Sequence, residues 1–301
     1  MVTLMSSVGI ARIQRKRFKE AISDALKLIQ YDFPPNAQNI VIKPNMCYYW
    51  DYSTGHTTDP NFVGSLIDLI REQISPQVNI SIVESDASAM KCMYAFKMLG
   101  FEDLARKYNV KLVNLSKENG EKTAVNIGKH LIEIIVPEVI KNADLKINVP
   151  KIKYSMRKIQ ISCALKNIFG CNPYPRKFIY HSILNEAIVA VNKAMKFDLC
   201  VLDGNIVAGA QTRKLGLVMA STDPVAFDSV ATHIAGVNPR FVRYLLLAEK
   251  EALGTTSFIA KGVSWKYFQS RFPKKSANKK FFDAAFDLIL KLHLETRLGL
   301  D

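Results

Sequence analysis

Paired cysteines are missing from this 301-residue sequence. Its five cysteines (Cys47, Cys92, Cys163, Cys171, Cys200) are odd in number and scattered, and no two have CxxC spacing. No zinc ribbon or ferredoxin-type cluster is therefore encoded, and the expected state is free thiols in a reducing compartment. No segment offers about 18 uncharged apolar residues. The opening MVTLMSSVGIARIQRKRFKE carries no apolar run of signal-peptide length before its charges. The chain is accordingly expected to be cytoplasmic or peripheral to a membrane. Neither GxxxxGK(S/T) nor a GxGxxG after a strand occurs, which argues against an ordinary nucleotide cradle.

The most informative absence is of negative charge. From Leu145 to Asn185 there is no acidic residue but eight basic ones: Lys146, Lys151, Lys153, Arg157, Lys158, Lys166, Arg176 and Lys177. A second acid-free window, Ala252 to Phe282, holds Lys261, Lys266, Arg271, Lys274, Lys275, Lys279 and Lys280. Together they account for more than a third of the 41 basic residues, so the net charge of +14 resides in two zones of an otherwise nearly neutral chain. Surfaces that only meet water mix the two signs. One-signed charge over such a length implies a field aimed at an anion.

What is present is a regular alternation of apolar strands and amphipathic helices. Strands are expected over Val8–Ile13, Asn39–Ile42, Val78–Val83, Val110–Val113, Leu145–Val149, Leu199–Leu202 and Leu215–Ala220, with a hairpin from Thr123–Ile127 to Leu131–Val136. Helices are expected between them: Arg17–Tyr31, a segment entered through Thr58-Asp59-Pro60, Met90–Leu99, Lys158–Phe169, Ser182–Met195, one fed by Thr222-Asp223-Pro224, and Pro239–Leu253. Asp59 and Asp223, each followed by proline, are expected as helix caps. The pattern is an α/β fold with a mostly parallel, mixed sheet and helices on both faces. A core over residues 1–254 is followed by a basic, aromatic helical extension over residues 255–301.

The strands repeatedly end in polar residues: Lys43 and Asn45, Glu84 and Asp86, Asn114, Asn148 with Lys151 and Lys153, Asp203, and Asp223. In a parallel sheet these ends share the edge at which ligands bind. Lys43, Asn45, Lys151, Lys153, Lys166 and Asn167 are the candidate substrate-binding residues, suited to a carboxylate or phosphate. His181, titrating near neutrality, and Asp203 are the candidate proton carriers. An oxygen-rich cation site from Glu84, Asp86, Asp203 and Asp228 has no ligand spacing in its favour, and no metal site is assigned.

Several of these motifs occur in a familiar order: Lys43-Pro44-Asn45, Thr58-Asp59-Pro60, Asn148-Val149-Pro150-Lys151-Ile152-Lys153, Lys166-Asn167 with Phe169-Gly170, His181, Asp203-Gly204, and Thr222-Asp223-Pro224 with Asp228. Over about residues 7 to 254 the chain resembles the domain of unknown function 362 family. Many members of that family carry a ferredoxin-like cysteine cluster, which this chain lacks. Where the family often has Lys-Thr-His after the central strand, this sequence reads Lys153-Tyr154-Ser155. The family has no settled general activity; the residues at the sheet edge favour an enzyme-like protein that binds a small anionic substrate there, with proton-transfer, isomerase-like or ligase-like chemistry. One alternative is a redox-associated relative that has lost its own iron–sulfur cluster; the cofactor is otherwise unknown. Another is a nucleic-acid-binding protein using the tail, whose Phe258, Trp265, Tyr267, Phe268 and Phe272 mix with lysines, or a protein that sits on an anionic membrane surface. The apolar face Phe281, Phe282, Ala285, Phe286, Ile289 and Leu290 is expected to pack on the chain itself or on a second copy, giving a homo-oligomer.

Overall fold

The computed structural model describes residues 5–15, 17–155 and 159–276. In chain order its elements are β1 (Ser6–Arg12), α1 (Phe18–Leu28), β2 (Asn39–Pro44), α2 (Pro60–Gln73), β3 (Asn79–Glu84), α3 (Cys92–Met98), α4 (Phe101–Tyr108) and β4 (Lys111–Asn114). The hairpin β5 (Gly120–Ile127) and β6 (His130–Pro137) follows, then α5 (Glu138–Lys141) and β7 (Leu145–Val149). A small ribbon of β8 (Lys153–Tyr154) and β9 (Ile161–Ser162) leads to α6 (Ala164–Ile168), α7 (Leu184–Met195), β10 (Leu199–Val207) and β11 (Arg213–Ser221). The last elements are α8 (Pro224–Ile234), α9 (Arg243–Lys250), β12 (Phe258–Gly262) and α10 (Trp265–Gln269).

Eight strands form one sheet in the order β12-β1-β11-β10-β7-β2-β3-β4. Strands β10, β7, β2, β3 and β4 are mutually parallel, β1 and β12 are parallel, and β11 runs antiparallel to both its neighbours. The protein is therefore α/β with a mostly parallel, mixed sheet. Because strand side chains alternate between faces, the continuous apolar run of β2 feeds two cores. Ile40 and Ile42 join the cluster under α1, α2, α3 and α4, while Val41 joins the one under α6, α7, α8, α9 and the β5–β6 hairpin. Asp59 caps α2 by accepting from the Asn61 amide at 2.9 Å, and Asp223 caps α8 by accepting from Val225 and Ala226 at 2.8 and 2.9 Å. Among the described residues no helix is long and apolar enough to cross a membrane.

Two expectations are corrected. The helix expected over Lys158–Phe169 is confined to Ala164–Ile168. Ile159 and Ile161 are both buried, a two-residue period, and Gln160 between them sits at φ +65°, which breaks a right-handed helix. The strand expected to stop at Leu202 runs on to Val207, because Asp203 and Gly204 pair with β11 and pairing resumes at Ile206 after an irregularity at Asn205. A Cβ at Gly204 would lie 2.8 Å from the Leu217 side chain and carbonyl oxygen, so the cross-strand approach there requires glycine.

The segment beyond residue 254 enters the fold in its described part. Strand β12 pairs with β1, and Phe268 and Phe272 are buried. Tyr154 packs edge-on against Phe272 at 5.8 Å and donates to the Pro273 carbonyl at 3.1 Å. These contacts take Phe268 and Phe272 out of any base-stacking role. The apolar face from Phe281 to Leu290 lies outside the described residues. A chain ending at residue 254 is expected to lose its cooperative thermal transition. Phe268→Ala in the full chain should cost about 3–5 kcal/mol in urea unfolding.

Candidate anion site at the carboxyl edge of the sheet

The chain leaves β2 on one side, through β3 and β4, and returns to its other side at β7. Lys43 is level with Asn148 and Pro44 with Val149, so the crevice past these residues is the switch point of the sheet. Three polar side chains fasten its walls. Thr58 Oγ1 donates to the Val149 carbonyl at 2.9 Å and accepts from the Asn45 amide at 2.9 Å. Asn148 Nδ2 donates to the Ala164 carbonyl at 2.9 Å. Asn167 Nδ2 donates to Asn148 Oδ1 at 2.8 Å and to the Lys43 carbonyl at 3.2 Å, which holds α6 over the ends of β2 and β7.

Two candidate lysines are already matched. Lys43 Nζ lies 2.8 Å from Glu84 Oε2 and donates to the Pro44 carbonyl at 2.7 Å, and both side chains are buried. Gly170 packs onto this pair, since a Cβ there would sit 3.3 Å from Lys43 Nζ and Glu84 Oε1. Lys151 Nζ lies 3.1 Å from Asp203 Oδ2, and each side chain is 1% exposed. Asp203 also accepts from the backbone amides of Asp59 at 2.9 Å and Asn205 at 3.1 Å. Burial pushes the Lys151 ammonium down against the pull of Asp203. Each pair is neutral as a unit, so neither lysine carries net charge toward a ligand.

Uncompensated charge comes instead from Lys153, Lys166 and Lys177. Lys166, half-buried on α6, makes no hydrogen bond or ion pair among the described residues, and its ammonium lies 5.9 Å from the Phe169 ring centre. Burial, then the charge of Lys153, push its pKa down to about 8; Cys47 acts in the opposite direction and Lys177 adds to the depression. Lys177 is likewise lowered to about 8, first by burial. It donates to Ser85 Oγ at 2.6 Å and to the carbonyls of Asp86 and Gly170 at 3.2 and 3.3 Å. Lys153 donates to the His56 carbonyl at 3.3 Å, and the same carbonyl accepts from Asn45 Nδ2. On that loop the His56 ring lies 4.9 Å from Trp50, and Trp50 lies 5.3 Å from Tyr48.

The model of the domain of unknown function (DUF362) matches residues 40–233. The chain belongs to the DUF362 family. A thylakoid-associated protein of Synechocystis is 32% identical over 129 residues, which is 38% of this chain and 40% of that protein. The lactate racemase apoprotein of Thermoanaerobacterium thermosaccharolyticum aligns with a TM-score of 0.47 and 12% identity, over 78% of this chain and 58% of that one. The DUF362 chain thus spans less than two thirds of the length of either.

The remaining expected residues of this DUF362 chain are dispersed. Asp203 is enclosed within β10 rather than standing at a strand end. His181 lies on a 3₁₀ segment, Lys177–Ile183, with its ring 4.1 Å from that of Phe178. Asp228 is buried and accepts from the amides of Ala164 at 2.6 Å and Leu165 at 3.1 Å, so it anchors the start of α6; burial raises its pKa to about 7. Among the described residues no three His, Cys, Asp or Glu side chains gather as a metal site. Lys177, Cys47 and Trp50 were not among the expected site residues. Lys177 had a sequence signal, the acid-free window, but only the fold-back at Asn172-Pro173-Tyr174-Pro175 brings it to β3. Lys151→Met is expected to destabilise the chain by about 3–5 kcal/mol in urea unfolding, because Asp203 is left buried and charged. Adding Asp203→Asn should recover part of that loss.

Proposed function

We propose that this DUF362 chain is an enzyme-like protein that binds a small carboxylate- or phosphate-bearing substrate at the switch-point crevice. The observation that carries the reading is Lys166: a half-buried ammonium over the ends of β2 and β7, without an acidic partner among the described residues and flanked by Lys153 and Lys177. An anion would relieve the repulsion among the three lysines, which raises the free energy of the empty site. In this reading Lys153, Lys166 and Lys177 hold the anion, and Asn45 and Asn167 fix the loops that carry them. Lys43 and Lys151 support the floor through Glu84 and Asp203. A pKa near 8 lets Lys166 release and regain a proton close to neutrality, which suits proton transfer, isomerisation or ligation at a carboxylate-bearing molecule. His181, on the segment that begins at Lys177, is the second proton carrier in the proposal. Asp203 acts through Lys151.

Phosphate or citrate should raise the melting temperature more than chloride at equal ionic strength. At a hundredfold excess over Kd the gain corresponds to about 2.7 kcal/mol. Lys153→Met with Lys166→Met should remove most of this anion-specific gain, whereas Lys250→Met with Lys261→Met should not. Equal loss in both double mutants would mean general charge screening and would overturn the site.

The pH dependence has a definite sign. The protonated ammonium binds the anion, so affinity is full below the Lys166 pKa of about 8 and falls as pH rises through it. Titration of Trp50 fluorescence with sulfate, whose charge is constant over this range, in a Trp265→Phe background should show weakening between about pH 7 and 9. A flat profile over that range would count against Lys166 as the contact.

A further inference from the structure

A cavity lined by none of the lysines of the proposed anion site lies beside α2. It is an open groove of about 880 Å³ between the start of α2, the α3–α4 junction and the β10–β11 hairpin. That is within the size range of small-molecule sites. Phe18, Leu104 and Tyr108 give it an apolar wall. Its rim carries Lys107, Lys214, Asp51 and Asp103, the last paired with Arg106.

The inner wall is not balanced. Asp59 is 5% exposed, and its Oδ1 accepts from Asn61 N at 2.9 Å and from Asn61 Nδ2 at 3.1 Å. Its Oδ2 accepts no hydrogen bond among the described residues. Beside it Asn205, 7% exposed, has a side-chain Oδ1 without a hydrogen-bond partner. Behind both, Asp203 accepts the Asp59 amide and is neutralised by Lys151. Asp59, Asp203 and Lys151 together therefore leave one negative charge facing the groove. Burial, and then Asp203, raise the Asp59 pKa against the hydrogen bonds from Asn61 and the charge of Lys151. A carboxylate oxygen on the groove wall that accepts no hydrogen bond among the described residues complements a group that is cationic and rich in donors. A primary ammonium has three donors and no acceptor.

We propose that this groove binds an organic primary ammonium ligand, with its charged head on Asp59 and its apolar body against Phe18, Leu104 and Tyr108. The site is separate from the lysine crevice and has the opposite sign, so it accepts a different class of ligand.

The probes are benzylammonium and benzyl alcohol, titrated into the full-length protein by calorimetry near pH 7. Benzylammonium should bind at least tenfold more tightly than benzyl alcohol. Asp59→Asn keeps an N-cap acceptor for α2 and removes the charge. It should weaken benzylammonium at least tenfold and leave the melting-temperature gain from phosphate unchanged, so that failure here is distinguishable from failure of the anion site. Should that variant misfold, the wild-type protein still decides the matter. In its amide NMR spectrum, benzylammonium should shift Asn61 and Asn205 and leave Ile42 and Ile147 in place. Equal affinity for benzylammonium and benzyl alcohol, unchanged binding by Asp59→Asn, or shifts absent from Asn61 and Asn205 would each overturn the proposal.

Discussion

Two lysines are enclosed in the interior of this protein, and the arrangement around the site depends on how they are neutralised. Lys151 meets Asp203 at 3.1 Å and Lys43 meets Glu84 at 2.8 Å. An ammonium moved from water into a protein interior loses several kcal/mol of solvation, and only a close counter-charge with further hydrogen bonds offsets it. Asp203 meets that demand by also accepting two backbone amides. One of them belongs to Asp59, so the pair at the end of β7 fixes the entry of α2 as well. The Asp203 amide in turn donates to the Pro150 carbonyl at 3.2 Å, which holds β10 beside the chain leaving β7.

Once these pairs are counted, the electrostatics separates into two parts. On the crevice side the matched pairs form a neutral floor, and the net positive field comes from Lys153, Lys166 and Lys177 above it. On the side facing α4, the same Lys151–Asp203 pair leaves Asp59 as an unmatched carboxylate. The two proposed sites would thus have opposite sign and lie on either side of one buried ion pair. Formal net charge alone does not reveal that division, because it counts Lys43 and Lys151 as though they were exposed.

The asparagines of the family-matched stretch have mechanical roles. Asn148 and Asn167 bond each other and the carbonyls of Ala164 and Lys43, which ties α6 to two strand ends. Asp228 holds the same short helix from its other side through the amides of Ala164 and Leu165. A five-residue helix is marginal on its own. These bonds fix where its one outward lysine, Lys166, is carried.

Much of the fold was legible in local pattern. Two-residue and 3.6-residue periodicities, with proline after Asp59 and Asp223, determined the strands, the helices and both caps, because those features depend on neighbours in sequence. The edge carrying Lys43, Asn148 and Lys151 followed as well, since parallel strands share a carboxyl end. Pattern failed at Gln160, where a left-handed residue divides an apparent helix, and at Asp203-Gly204, where a turn-like sequence is held as strand by β11. Charge partnership was the other thing tertiary structure decided. Lys43 and Glu84 are 41 residues apart, Lys151 and Asp203 are 52 apart, and Lys177 reaches Ser85 across 92. The acid-free window showed where positive charge is concentrated. Which of its lysines remain uncompensated depends on carboxylates brought in from outside it, and only folding places those within about 3 Å.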